Sequence, residues 1–87
     1  DTHIDGAPEL IVEVISPSSS GKDRLQKRHI YSKTGVRHFW LVNPEEKTVE
    51  CFALRDGAYF LAASGMDEDV MNHQSFPNLV IDLKDLW

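Results

Sequence analysis

The sequence predicts an α/β or α+β domain built on a mixed β-sheet, and two observations lead to this prediction. The first is a run from Leu10 to Ile15 that is apolar at every position except Glu13 and is followed by Ser16-Pro17. The second is the order of the predicted elements, which is strand, helix, strand, hairpin and a further strand. A continuous apolar run of this length is typical of a strand buried on both faces, so we expect Leu10 to Ile15 to lie inside the sheet.

A helix is predicted to follow the first strand. Ser20 and Asp23 have the spacing of a capping box, which places the start of the helix near Ser19 or Ser20. Gly35 stands where a left-handed C-cap residue is needed, so the helix should end there. At about 100° per residue, one stripe of the helix is predicted to face the sheet, and it carries Asp23, Lys27, Ile30, Tyr31 and Thr34. Leu25 points away from this inner stripe and needs a cover.

The other strands are predicted from alternation and turn signals. Asn43-Pro44-Glu45-Glu46 and Arg55-Asp56-Gly57 have the composition of turns. The strands between and around these turns are expected at Val36–Val42, Thr48–Leu54 and Ala58–Ala62. In the first of these, His38 and Trp40 should share one face, with Phe39 and Leu41 on the other.

The end of the chain is predicted to be less regular. Ser64 to Ser75 is polar and is expected to be mostly loop. After Pro77, the alternation of Leu79, Ile81 and Leu83 predicts a short strand, and Leu86-Trp87 is expected to dock onto the core.

Length and composition limit the possible functions. Eighty-seven residues make at most one small domain, and no apolar run approaches the roughly 18 residues of a membrane span. The net charge of −5 argues against a protein that coats nucleic acid with its whole surface. Cys51, the single cysteine, excludes an internal disulfide, fits the reducing cytoplasm where we expect the protein, and is most simply a core thiol.

Glu13 is the strongest candidate for a functional residue. A carboxylate inside an apolar strand is costly unless a cation compensates it, and such a departure from the local pattern usually marks a site. The alternative is a structural carboxylate satisfied by a helix N-terminus or a basic partner. Glu9 shares its face, but four strand residues span about 13 Å, so Glu9 is better explained as the start of the strand.

Lys27 is the second candidate. By default it is a solvated helical lysine, but its place on the inner stripe lets it reach an anionic site at the carboxyl end of the first strand. The other cations of this region are predicted to form a solvated face or a track along the phosphates of nucleic acid. These are Lys22, Arg24, Arg28 and Lys33.

Three stretches together resemble a known family. They are APELIVEVISPSS, then Asp23, Lys27 and Tyr31 at four-residue steps, then GVRHFWLVNPEEKTVECF. The combination is similar to the bacterial Uma family of endonucleases, of the restriction-endonuclease-like PD-(D/E)XK superfamily. The resemblance implies an α/β fold, a restriction-endonuclease-like mixed β-sheet flanked by helices. The sequence departs from the usual family pattern at Glu9, His38 and Asn43.

The resemblance also implies a site. Glu13 and the carbonyl of Val14 would bind Mg²⁺, and Lys27 on the helix would replace the lysine that the superfamily carries at the position of Ile15. The first metal-binding Asp would lie upstream of residue 1. We therefore expect residues 1–87 to be the C-terminal part of a single domain and to be inactive alone.

Two functions remain open from the sequence. One is a Mg²⁺-dependent endonuclease that hydrolyses DNA phosphodiesters as part of the intact domain. The other is a non-catalytic DNA-binding or protein-interaction module of the same fold. In either case the expected partners are DNA and a second copy of the chain, because Leu25 and uncovered strands predict a homo-oligomer.

Overall fold

A computed structural model of the chain describes residues 9–18 and 21–87. The predicted capping residues Ser19 and Ser20 lie outside them. The helix α1 spans Gly21–Thr34, and a 3₁₀ helix spans Leu83–Asp85. The strands are β1 (Leu10–Val14), β2 (His38–Asn43), β3 (Thr48–Arg55), β4 (Ala58–Met66), β5 (Val70–His73) and β6 (Phe76–Asp82).

The main sheet has the strand order β1-β2-β3-β4 and is mixed, as the sequence predicts. β1 is parallel to β2, and the other neighbours are antiparallel. The hairpin between β3 and β4 turns at Asp56 and Gly57, whose φ angles of 52° and 81° suit a two-residue turn of this kind. β5 and β6 form a second, antiparallel sheet. No helix among the described residues is long and apolar enough to cross a membrane.

The prediction that the first strand lies inside the sheet is wrong for the described part of the chain. β1 pairs with β2 alone there and is an edge strand. Ile11 and Glu13 are half-buried on the face that α1 covers, whereas Val12 and Val14 on the other face are 49% and 62% exposed. The apolar run therefore supplies two apolar faces, of which only one has a cover among these residues.

The two faces of the main sheet carry different packing. On the face of α1, Phe39 is buried against the rings of Tyr31, Phe52 and Tyr59. On the opposite face, a hydrophobic cluster joins the main sheet to the second sheet and the 3₁₀ helix. Its buried members are Trp40, Val49, Cys51, Met71 and Leu83. The predicted placement of Phe39 and Trp40 on opposite faces of β2 is therefore confirmed.

The expectation of a loop from Ser64 to Ser75 is also wrong. β4 continues to Met66, and after a turn β5 begins at Val70. Asp69 accepts a hydrogen bond from the Met66 N–H at 2.9 Å and so stabilises the turn. In β5 the buried residues Met71 and His73 alternate with the exposed Val70 and Asn72. An apolar outward residue and a polar inward one therefore conceal a strand with one inner face.

The last residues differ from the prediction in two places. Leu83 is fully buried, but it begins the 3₁₀ helix and is not part of a strand. Leu86 is exposed, whereas Trp87 packs against the cluster and donates its indole N–H to the Asp67 carbonyl at 2.6 Å. Only the tryptophan of the predicted pair therefore docks onto the core.

The helix ends as predicted. Gly35 has a φ of 83°, and the N–H of Val36 donates to the carbonyl of Tyr31 at 3.1 Å. The N–H of Gly35 faces the carbonyl of Ser32 at 3.4 Å, which completes a Schellman motif. Val36 is buried at this turn, and β2 begins two residues later, at His38.

The inner stripe of the helix is displaced from the predicted one. Ile30 is 56% exposed, so its predicted place on the inner face is wrong. The half-buried positions include Arg24, Lys27, Arg28 and Tyr31, and Ile30 lies about 100° around the helix from Tyr31. Leu25 is exposed, as the pattern indicated, and the homo-oligomer inferred from it stays a prediction.

Gly65 marks a close approach of the second sheet to β4. A Cβ atom at Gly65 would lie 2.7 Å from Met71 Cγ and 2.9 Å from Leu83 Cδ1. Both side chains are buried and have little room to move. Gly65→Ala should therefore lower the free energy of unfolding by about 1–3 kcal/mol, measured by chemical denaturation of the full-length protein.

Gly21 provides the matched control, because a Cβ atom there has no neighbour within 4 Å. Gly21→Ala lies in the first turn of α1 and should be neutral or stabilising by up to about 1 kcal/mol. Equal effects of the two substitutions would show that β5 and the 3₁₀ helix do not pack on β4 as described.

Cys51 makes the free energy of unfolding depend on pH. The thiol is fully buried, and burial raises its pKa from the ordinary value of 9.0 to about 11. Between these values the folded protein holds a proton that the unfolded chain has released, so stability falls as the pH rises through this window. The free energy of unfolding should fall by about 2–3 kcal/mol across this window because of Cys51. Cys51→Ala should make the plot of unfolding free energy less steep from pH 9 to 11. Tyr31 and Tyr59, whose pKa values are raised from 10.0 to about 12, still give a slope in the upper part of this range. Parallel plots for the two proteins would contradict the role of Cys51.

Candidate functional site

Glu13, Lys27 and Tyr31 meet at the carboxyl end of β1. Glu13 Oε2 lies 3.6 Å from Lys27 Nζ, and the Tyr31 hydroxyl donates a hydrogen bond to Glu13 Oε1 at 2.5 Å. The Glu13 side chain is 25% exposed and that of Lys27 is 45% exposed. The structure therefore brings together the two residues that the sequence predicted as one site, and it adds a tyrosine.

The path of the chain explains this meeting. Parallel strands need a crossover connection, and α1 is the crossover from β1 to β2. Lys27 and Tyr31 are four residues apart, so they stand one above the other on the same face of the helix. The rings of Tyr31 and Phe39 of β2 pack edge to face, with 5.4 Å between the ring centroids. That contact fixes the helix face over Glu13.

The side chains of α1 give Glu13 its polar and charged neighbours. The carboxylate accepts the hydrogen bond of Tyr31, and this bond, with burial, raises the pKa of Tyr31 to about 12. Lys27 lies between two carboxylates, because Asp23 Oδ2 is 3.7 Å from its Nζ atom. A small recess opens beside this group, and its lining includes Val14, Ile15, Arg24, Phe39 and Leu41.

The oxygen donors here suit a hard divalent cation such as Mg²⁺. Two hydrogen bonds flank the pairing of β1 with β2. The Glu9 carbonyl accepts one from the His38 N–H, and the Ile15 N–H donates the other to the Val42 carbonyl. Backbone groups alternate in direction along a strand, so the Val14 carbonyl points to the outer edge of β1. Glu13 and Val14 thus fit part of a ligand set. Within residues 9–18 and 21–87, no group of three or more His, Cys, Asp and Glu side chains could hold a metal.

The four cations predicted to contact nucleic acid do not form one compact patch. Arg24 lines the recess beside Glu13, and Lys22 is exposed on the same end of α1. Arg28 instead lies over the Phe52 ring, with 4.6 Å from Cζ to the centroid. Lys33 is exposed in the last turn, about 16 Å along the axis from Lys22. Their contacts with DNA stay a prediction.

The sequence reasoning did not identify the role of the Tyr31 hydroxyl. The signal was present, because Tyr31 follows Lys27 by four residues and a half-buried carboxylate needs donors. It also did not identify a second polar group, on the opposite face of the sheet, where the rings of His38 and His73 lie 5.9 Å apart. Burial, and then the neighbouring His73, lower the pKa of His38.

Comparison with known proteins places this chain in a family. Residues 1–84 match the model of the Uma2 family, whose description reads "Putative restriction endonuclease". No curated protein matches the chain. Among solved structures, the chain is similar to "a putative nuclease belonging to DUF820" from Anabaena variabilis ATCC 29413, with a TM-score of 0.66 and 25% sequence identity.

The structural alignment covers 92% of this chain and 44% of the Anabaena chain, so this chain spans less than half the length of that relative. The similarity confirms the predicted α/β fold, a mixed sheet of the restriction-endonuclease-like type, here with one α-helix among the described residues. The family model covers nearly all of the sequence, and the chain therefore belongs to the Uma2 family.

Proposed function

We propose that the protein is a Mg²⁺-dependent endonuclease that hydrolyses DNA phosphodiesters, with Glu13 and Lys27 in its active site. The observation that carries this proposal is the position of Lys27 Nζ, 3.6 Å from the Glu13 carboxylate at the end of β1. Membership of a family whose description reads "Putative restriction endonuclease" supports the reaction class. The whole active site would include residues outside the described part of the chain.

Each residue has a distinct role in this proposal. Glu13 and the Val14 carbonyl would hold Mg²⁺, together with a carboxylate supplied from upstream. When bound, the ion would polarise the phosphate and lower the pKa of a water molecule. The ammonium of Lys27 would stabilise the negative charge that develops on the phosphoryl oxygens. Its side chain is half-exposed and keeps the freedom to follow those oxygens.

The duplex would approach from the N-terminal end of α1. Arg24 lines the recess at Glu13, and Lys22 lies one half-turn earlier on an exposed surface. The positive end of the helix dipole adds to the attraction for phosphate at this end. Arg28 and Lys33 are proposed as outer contacts, the first through the exposed part of a guanidinium that also covers Phe52.

The central prediction concerns cleavage of plasmid DNA by the full-length protein with Mg²⁺. Glu13→Gln removes the charge that holds the cation, and Lys27→Met removes the ammonium but keeps the length of the stem. Each substitution should lower the cleavage rate at least about a hundredfold. The double variant should lose little more than the worse single variant, because both groups act on the same transition state.

Lys84→Met is the matched control, since Lys84 is an exposed lysine of the 3₁₀ helix that pairs with Asp82 at the end of β6. It should cleave at the parental rate. If Lys27→Met also cleaves at that rate, Lys27 is an ordinary surface lysine. If Glu13→Gln does so as well, cleavage does not depend on this site. Absence of cleavage by the parent protein itself would favour the non-catalytic DNA-binding or protein-interaction module.

A second prediction concerns the salt dependence of DNA binding. In a Glu13→Gln background, which prevents cleavage, Lys22→Ala and Arg24→Ala should each reduce the slope of log K against log salt by about 1. Lys84→Ala should leave the slope unchanged. Titration of a labelled duplex at several salt concentrations measures these slopes, and equal slopes for all variants would remove Lys22 and Arg24 from the interface.

A further inference from the structure

We propose that Tyr31 is a positioning residue that holds the Glu13 carboxylate by one oxygen and leaves the other oxygen for the cation, a role that rests on the proposed function. The Tyr31 hydroxyl donates to Glu13 Oε1 at 2.5 Å, within the range of a strong bond to a charged acceptor. Glu13 Oε2 has Lys27 at 3.6 Å, which is the distance of an ion pair and not of a tight hydrogen bond.

Tyr31 is itself held in place from several sides. Its ring packs against Phe39, which is buried. Its backbone carbonyl accepts the N–H of Val36 at 3.1 Å in the turn that ends α1, and the hydroxyl of Thr34 lies 3.2 Å from the same carbonyl. The phenol oxygen therefore has a fixed position relative to β2. A glutamate has several rotatable bonds, and a fixed donor restricts them.

The chemistry of the donor suits this task. A phenol is neutral, so it orients the carboxylate without cancelling the negative charge that attracts a cation. A second ammonium or guanidinium at the same place would compete with the cation for that charge. Replacing a group that hydrogen-bonds to a metal ligand commonly weakens metal binding ten- to a hundredfold, which is about 1.4–2.7 kcal/mol.

Tyr59 provides an internal comparison. Its hydroxyl is also a donor in the folded protein, to the carbonyl of Val36 at 2.6 Å, and its ring lies 5.7 Å from that of Phe39. Tyr59 thus shares the ring contact and the internal hydrogen bond of Tyr31, but its hydroxyl bonds to a backbone carbonyl and not to Glu13. Substitution by phenylalanine keeps the ring and removes only the hydroxyl in both cases.

The test is calorimetric titration of the full-length protein with Mg²⁺ and with Mn²⁺, without DNA. Tyr31→Phe should weaken binding about tenfold, Tyr59→Phe should leave it unchanged, and Glu13→Gln should remove it. Thermal unfolding of each variant shows whether it is folded. If Glu13→Gln binds the ions as the parent does, the proposed function fails, because Glu13 is then not a metal ligand.

The positioning role of Tyr31 can be overturned while the proposed function stands. Loss of binding in Glu13→Gln with parental or tighter binding in Tyr31→Phe would overturn it, since the hydroxyl would then be structural or would compete with the cation. Glu13→Asp offers a second route if Tyr31→Phe does not fold. It keeps the charge but withdraws the carboxylate from Tyr31, so it should also weaken binding. Parental affinity in that variant overturns the role as well.

Discussion

The parallel pairing of β1 with β2 is the constraint on which the rest of this structure depends. Two parallel neighbours cannot be joined by a tight turn, so the chain must return to the start of the sheet before β2 begins. It does so through α1, which lies over β1 and β2. The same return places a helical lysine and tyrosine over the carboxyl end of β1, where Glu13 stands. The site is thus a consequence of the topology as much as of its residues.

The two faces of the main sheet differ in how many buried side chains hold their neighbours in place. The hydrophobic cluster around Cys51 and Leu83 lies on the face opposite α1, and it joins the sheet to β5, β6 and the 3₁₀ helix. No residue of α1 is fully buried. The helix is held instead by half-buried amphipathic side chains, such as Arg28 over Phe52 and Tyr31 against Phe39. The position of Lys27 over Glu13 therefore depends on a few aromatic contacts and on the Schellman turn.

The sequence was most informative where a feature has a local cause. Gly35 and the Asp56-Gly57 turn need positive φ angles, which particular residues favour, and both were predicted at the correct positions. Glu13 was identified because an acid in an apolar run departs from the local pattern. The burial of β1 was not predictable in the same way, because an apolar pattern shows that a face needs a cover and not which residues provide it. β5 was missed because Val70 is apolar but exposed and His73 is polar but buried, which hides the alternation.

The helical position of Lys27 has a consequence for its chemistry. Its two ion pairs, with Glu13 at 3.6 Å and Asp23 at 3.7 Å, are long and involve a half-exposed ammonium. Such pairs contribute about 0–1 kcal/mol each, so exchanging one of them for a phosphate oxygen costs little. A fully buried lysine would be fixed in place and would pay a large desolvation penalty. In the proposed function, a lysine carried by the crossover helix would therefore stay near Glu13 in the free protein and still move toward the charge that develops on a bound phosphate.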